Sequence, residues 1–298
     1  MAEHEFLCRG ARVRVRDGEV EVLTDPAVSY CPYVAATYGI KRIDKAAVAR
    51  IVRMKMERFG FCCPHRRFVE KLIVPFGSSE MMSVCLRRGL LDCAVTVCEG
   101  AGTVIASDPG LVQGIGAMLN GILRTSPLEP VIRHIEARGG VLLDREEAAI
   151  DQVAGVEEAI RRGFKRIAVT VIGPRASIIP KLRELEAEHE GVRLAIFSTC
   201  NTLVEERDLR CLGQADVVCA SASRLIREHI GPRALAQLGV SIPVFLLTPL
   251  AKELAFTYLT EVRASLVAFR ARMPYLVAEK QPILARGCSG CGSCGGCR

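Results

Sequence analysis

The sequence predicts an α/β protein of two Rossmann-like lobes with mainly parallel sheets, a small N-terminal β-hairpin and a flexible Cys-rich C-terminal tail. Three observations point there. Apolar runs such as IAVTVI and ADVVCA are continuous rather than alternating, as in strands covered on both faces. Between these runs lie amphipathic helical stretches, the pattern of a parallel sheet wrapped by helices. The chain has 298 residues, 50% of them hydrophobic, which supplies a core for one large or two ordinary domains.

Taken in order, residues 11–23 alternate in polarity and break at Asp17-Gly18, which reads as a hairpin. A loop carrying Tyr30-Cys31-Pro32 precedes a helix capped by Asp44 and running to about Arg58. The loop FGFCCPHR then leads to a helix that begins near Ser78 or Ser79. Strands are expected at 92–98, 140–143, 166–172, 192–198, 215–220 and 243–247, and a helix at 145–162. A soft boundary near Ile150 divides the chain into an N-terminal lobe with the hairpin and Cys-bearing loops (1–150) and a C-terminal lobe (151–286). Residues 287–298 form a tail.

Fourteen cysteines in a long chain whose charged start lacks a signal-peptide core suggest a reducing, cytoplasmic setting rather than a disulfide scaffold. No apolar stretch is long enough for a membrane span. The net charge of +7 is dispersed among acidic residues, and only 5% of residues are aromatic, so nucleic acid is not an expected partner.

The tail CSGCGSCGGCR sets Cys288, Cys291, Cys294 and Cys297 at a three-residue period. Thiols so spaced on a glycine-rich backbone suit an iron–sulfur cluster, with zinc as the alternative. Loop cysteines are better ligand candidates than strand cysteines, which usually pack as small hydrophobes. Cys31, Cys62 and Cys98 are therefore further candidates, whereas Cys85, Cys93, Cys211 and Cys219 read as packing. After a strand, Glu99-Gly100-Ala101-Gly102-Thr103 could offer backbone amides to an anionic cofactor, though it lacks a third glycine and a P-loop lysine. Cys200-Asn201-Thr202, at another strand end, resembles the catalytic segment of cofactor-independent amino-acid racemases. That chemistry needs two thiols about one carbon, and Cys98 is the candidate partner of Cys200.

Several segments together resemble the methanogenesis marker protein 8 family: Tyr30-Cys31-Pro32, Phe59-Gly60-Phe61-Cys62, the run from Cys98 to Val104, Gln113-Gly114-Ile115-Gly116, Thr125-Ser126-Pro127 and Ile150-Asp151-Gln152. The resemblance covers residues 13–259 and leaves the tail outside. It implies an anaerobic cytosolic setting and an accessory role near methyl- or metal-cofactor metabolism. The expected function is an iron–sulfur or metal-binding accessory, assembly or electron-delivery protein whose partner is a metalloenzyme or redox protein, with self-association open. The alternatives are a racemase-like enzyme acting on a small carboxylate, or a module that binds a small ligand or nucleotide.

Overall fold

The structure, a computed structural model, describes residues 2–285. Cys288, Cys291, Cys294 and Cys297, and the rest of the expected tail, lie outside the described residues. The chain opens with β1 (Glu3–Cys8), β2 (Ala11–Arg16) and β3 (Glu19–Val22), followed by β4 (Val28–Tyr30). The predicted hairpin is β2 and β3, turning at Asp17-Gly18. Two helices follow, α1 (Pro32–Tyr38) and α2 (Lys45–Phe59), the second capped by Asp44, whose carboxylate accepts from the Ala47 amide.

Next come α3 (Ser78–Arg87), β5 (Cys93–Cys98), β6 (Gly102–Ala106), α4 (Pro109–Gly116), β7 (Gly121–Thr125), α5 (Glu129–Ala137) and β8 (Val141–Leu142). The C-terminal half holds α6 (Gln152–Arg161), β9 (Arg166–Ile172), α7 (Ile179–Glu188), β10 (Arg193–Thr199), the single-turn α8 (Leu209–Leu212) and β11 (Val217–Cys219). It continues with β12 (Ala236–Leu238), β13 (Val244–Leu246), α9 (Pro249–Leu259) and β14 (Ile283–Leu284).

One eight-stranded sheet, in the order β12-β13-β11-β10-β9-β5-β6-β8, organises the molecule. Its four central strands, β11, β10, β9 and β5, are parallel, and an antiparallel pair extends each side. Residues 1–150 and 151–286 meet in this sheet, where β5 pairs with β9. Alternate strand residues face two cores. Ala94, Ala168, Ala195 and Val217 pack with α3, α4, α5 and α9, whereas Val95, Val169, Ile196 and Val218 pack with α6, α7 and α8. The small alanines on the first face leave room for the large residues of four helices.

A second sheet, β3-β2-β1-β7, is antiparallel and shares a third core with α1 and α2. A short pair, β14 with β4, returns the C-terminal segment to the N-terminal region. The helix expected at 145–162 begins only at Gln152. Asp144 takes the Glu146 and Glu147 amides in a turn, and Asp151 caps the helix through the Ala154 amide. No helix among the described residues is long and apolar enough to cross a membrane.

Candidate functional site

Beyond the carboxyl ends of the parallel strands lies a cavity of about 610 Å³, the usual place for a ligand in an open α/β sheet. Thr96 and Val97 of β5, Thr170 and Ile172 of β9, Thr199 and Cys200 at the end of β10, and Cys219 and Ser221 at the end of β11 form its floor. Leu7 and Arg9 from the N-terminal sheet, Lys55 from α2 and the segment from Met118 to Asn120 close over it. Leu7, Val28, Met82, Met118, Ile122 and Ile242 make much of the wall apolar.

Backbone strain gathers here. Eight non-glycine residues among those described have positive φ, and five of them line this cavity: Arg9, Phe76, Met118, Cys200 and Ser221. Such conformations cost energy and persist where a site over-determines them. Cys200 (φ 53°) and Ser221 (φ 50°) turn the chain sharply at adjacent strand ends, and the Asn201 amide donates to Ser221 Oγ at 3.0 Å. The two segments are thereby fixed to each other.

Two cations face the cavity without a carboxylate partner among the described residues. Lys55 is 5% exposed, and its Nζ donates to Met118 O at 2.6 Å and to Asn120 Oδ1 at 2.8 Å. Burial pushes its pKa down to about 8. Arg9 lies over the Tyr33 ring at 5.8 Å, and its buried Nε has no hydrogen-bond partner among the described residues. Gln152 adds a third group. It is 2% exposed, its Nε2 donates to Thr170 O at 3.1 Å, and its Oε1 is unpartnered among the described residues. The amino end of α3 also reaches the cavity, at Gly77 and Ser78.

Glu80 is the carboxylate on this wall, and its oxygens are occupied. It accepts from the Val74 amide at 2.9 Å, the Ser79 hydroxyl at 2.9 Å, Gln113 Nε2 at 3.0 Å and the Ile73 amide at 3.3 Å. It therefore clamps the segment 73–77 rather than presenting charge to a ligand.

The residues singled out in the sequence divide between the cavity and the cores. Cys200 lines the cavity, with burial and the neighbouring Cys219 thiol raising its pKa to about 11. Cys219, expected to be packing only, lines the cavity beside it. Cys31 borders it too, but is 2% exposed and belongs to the N-terminal core with Cys62. Cys98 is fully buried in a different core and donates to Glu99 O at 3.3 Å. Burial pushes the Cys62 and Cys98 thiols up, and the Glu99 carboxylate adds to both shifts. Among the described residues no group of three or more His, Cys, Asp and Glu side chains could hold a metal ion. The structure thus does not assemble Cys31, Cys62 and Cys98 into a three-ligand centre, nor does it place Cys98 in the cavity with Cys200. Asn201 is likewise committed, donating through Nδ2 to Cys219 O and accepting from the Ser198 hydroxyl.

The segment from Glu99 to Thr103 is a β-hairpin turn between β5 and β6, not an anion cradle. The Gly100 amide donates to Thr125 Oγ1, the Ala101 amide to Cys98 O and the Thr103 amide to Ala149 O, while Thr103 Oγ1 accepts from the Asp151 amide. Gly102 (φ 69°) abuts the backbone at Ala148, where a Cβ would come within 2.2 Å of a carbonyl oxygen. Glu99 is buried in an ion pair with Arg66, whose guanidinium stacks over Phe61 at 4.1 Å. Both side chains are 1% exposed. Burial raises the Glu99 pKa while Arg66 opposes the shift.

Lys55 and Arg9 carry no role in the sequence pattern, and Gln152 enters it only within the resembling segment Ile150-Asp151-Gln152. Lys55 carried a signal, because it occupies the apolar stripe of α2 with Val48, Ile51, Val52 and Phe59. A lysine at that register is either an error of pattern or a functional cation.

A family model described as an uncharacterised protein conserved in archaea (DUF2099) matches residues 5–260. An uncharacterised protein of Methanocaldococcus jannaschii is 37% identical over 245 residues, covering 82% of this chain and 85% of the relative.

Proposed function

The chain belongs to that archaeal family, and we propose from its cavity that it binds a small organic anion with an apolar body, a carboxylate or phosphate ester. One observation carries this reading. Arg9 and Lys55 face a largely apolar cavity, and no carboxylate among the described residues neutralises them. Uncompensated buried charge is costly, and a ligand anion would offset that cost. The volume, about 610 Å³, suits a ligand of drug-like size. The unpartnered Gln152 Oε1 would accept from a hydroxyl or amide of the same molecule.

Calorimetric titration with hydrophobic carboxylates and phosphate esters, each beside its neutral amide or alcohol, tests the reading. Anions should bind and their neutral counterparts should be weaker. Arg9→Met should lower affinity by about 10- to 100-fold, the range for a charged hydrogen bond. Equal binding of neutral and charged members would overturn the proposal.

A second reading rests on the three-residue cysteine period of the tail. Cys288, Cys291, Cys294 and Cys297 would hold an iron–sulfur cluster, which makes the protein a cytoplasmic accessory or electron-delivery factor of anaerobic metabolism. That setting rests on the resemblance of residues 13–259 to the methanogenesis marker protein 8 family. Anaerobically purified full-length chain should contain iron and sulfide, and a chain ending at Ala285 should not. Metal-free full-length protein would exclude this reading.

A further inference from the structure

Lys55 differs from an ordinary anion-binding lysine in where its nitrogen sits and what surrounds it. Its stem lies in the apolar stripe of α2, and Nζ lies 5.7 Å from the Phe61 ring centroid. Met118, which supplies one of its two acceptors, holds a left-handed backbone at φ 61°. Both acceptors, Met118 O and Asn120 Oδ1, are neutral, so neither favours the charged form as a carboxylate would. A neutral amine has two N–H donors, and these two acceptors use both. Its lone pair is then left over, on a residue that lines the cavity.

We propose that Lys55 is a nucleophilic amine that forms an imine with a 2-oxo acid bound in the cavity, with Arg9 holding the carboxylate. The proposal rests on the anion-binding reading above and names its substrate class. In the step, the Nζ lone pair attacks the substrate carbonyl carbon and a C–N bond forms. The carbonyl C–O bond then breaks, and the oxygen leaves as water carrying the two protons lost by the amine. No oxidant or reductant is needed. A 2-oxo acid meets both requirements, because its electrophilic carbon is bonded directly to the carboxylate that a guanidinium binds. The apolar wall favours one with a hydrocarbon side chain.

The lowered pKa of Lys55 agrees with this role, because a larger share of amine is free at neutral pH than for an exposed lysine. The charged and titratable groups facing it are the Cys8 and Cys200 thiols and the Glu99 carboxylate, which raise its pKa, and Arg9, which lowers it. Burial outweighs them all.

The test treats full-length protein with 4-methyl-2-oxopentanoate and sodium cyanoborohydride, which delivers hydride to the imine carbon and fixes the adduct as a secondary amine. Peptide mapping should place one adduct on Lys55, formed faster as pH rises toward about 8. Lys55→Arg keeps the positive charge but cannot form the imine, so it should give no adduct at residue 55 and no new adduct elsewhere. Binding by the wild type without a Lys55 adduct would overturn the nucleophile and leave the anion site standing. Adducts spread evenly over exposed lysines would also overturn it. Absence of both binding and adduct would remove both readings. The wild-type map alone decides the question if Lys55→Arg does not fold.

Discussion

Glu99 and Arg66 show how one side chain serves the architecture while resembling a functional acid. Each side chain is 1% exposed, and they neutralise each other at the hairpin turn beside α4, whose Gly114 and Ile115 carbonyls also accept from Arg66. Removing one partner strands a buried charge, so Glu99→Gln should destabilise the fold by about 3–5 kcal/mol in urea titration. The double variant Glu99→Leu with Arg66→Met should recover most of that loss. A single-variant loss below about 1 kcal/mol would mean that the pair carries little of the fold's stability. The thiols divide in the same way. Under native conditions a small alkylating reagent should reach Cys200 through the cavity and leave Cys98 unmodified until denaturant is added. Labelling of Cys98 in the folded protein would show that its core opens. Sequence spacing cannot distinguish these roles, because a glutamate beside glycines at a strand end looks the same whether it faces a ligand or an arginine thirty-three positions earlier.

At the scale of elements, the cavity depends on a few clamps. Glu80 holds the segment 73–77 through two of its amides, those of Ile73 and Val74, and ties it to α4 through Gln113. Glu80→Ala leaves both amides without that acceptor, a loss of about 1–3 kcal/mol for each buried group that stays unpaired. Amide hydrogen exchange should rise at 73–77, and ligand affinity should fall although Glu80 never touches the anion. Unchanged exchange there would show that the segment is held by its apolar contacts instead. Elements of this kind were unevenly legible. The strand 166–172 was readable because five of its seven residues, Ile167, Val169, Thr170, Val171 and Ile172, are β-branched, and α2 was readable from its Asp44 cap. By contrast β6 was hidden, since GTVIA follows a turn that mimics a phosphate loop, and β7 pairs with β1 more than a hundred residues away. Antiparallel margins on a parallel sheet follow from such distant pairings, which local periodicity does not encode.

For the molecule as a whole, Lys55 links the cavity to stability. Its pKa is about 8 folded against 10.5 for an ordinary lysine, so between these values the unfolded chain binds the proton and the folded one does not. Stability therefore rises with pH through that window, by about 3 kcal/mol in all from this group. Cys85 and Cys93 oppose it at higher pH, because burial pushes their thiols up to about 12. The comparison is therefore between wild type and Lys55→Met, which share those thiols. The wild type should gain stability relative to the variant from pH 8 to 10.5, and parallel curves would contradict the assigned shift.

The cavity's lining runs from Leu7 to Pro282, nearly the length of the described chain. No fragment of the sequence contains the site, and an unfolded chain has none of it. Whatever occupies it must act thermodynamically as a folding ligand, selecting the native state by mass action. A compound present at a hundred times its dissociation constant would add about 2.7 kcal/mol to the unfolding free energy. Melting temperature is thus a detector that requires no assumed reaction. A library of organic acids, each screened beside its neutral amide, should raise the melting temperature for members that carry the right anion. The same shift should disappear in Arg9→Met, so that the natural ligand can be sought by heating the protein in fractionated extracts of the cells that make it.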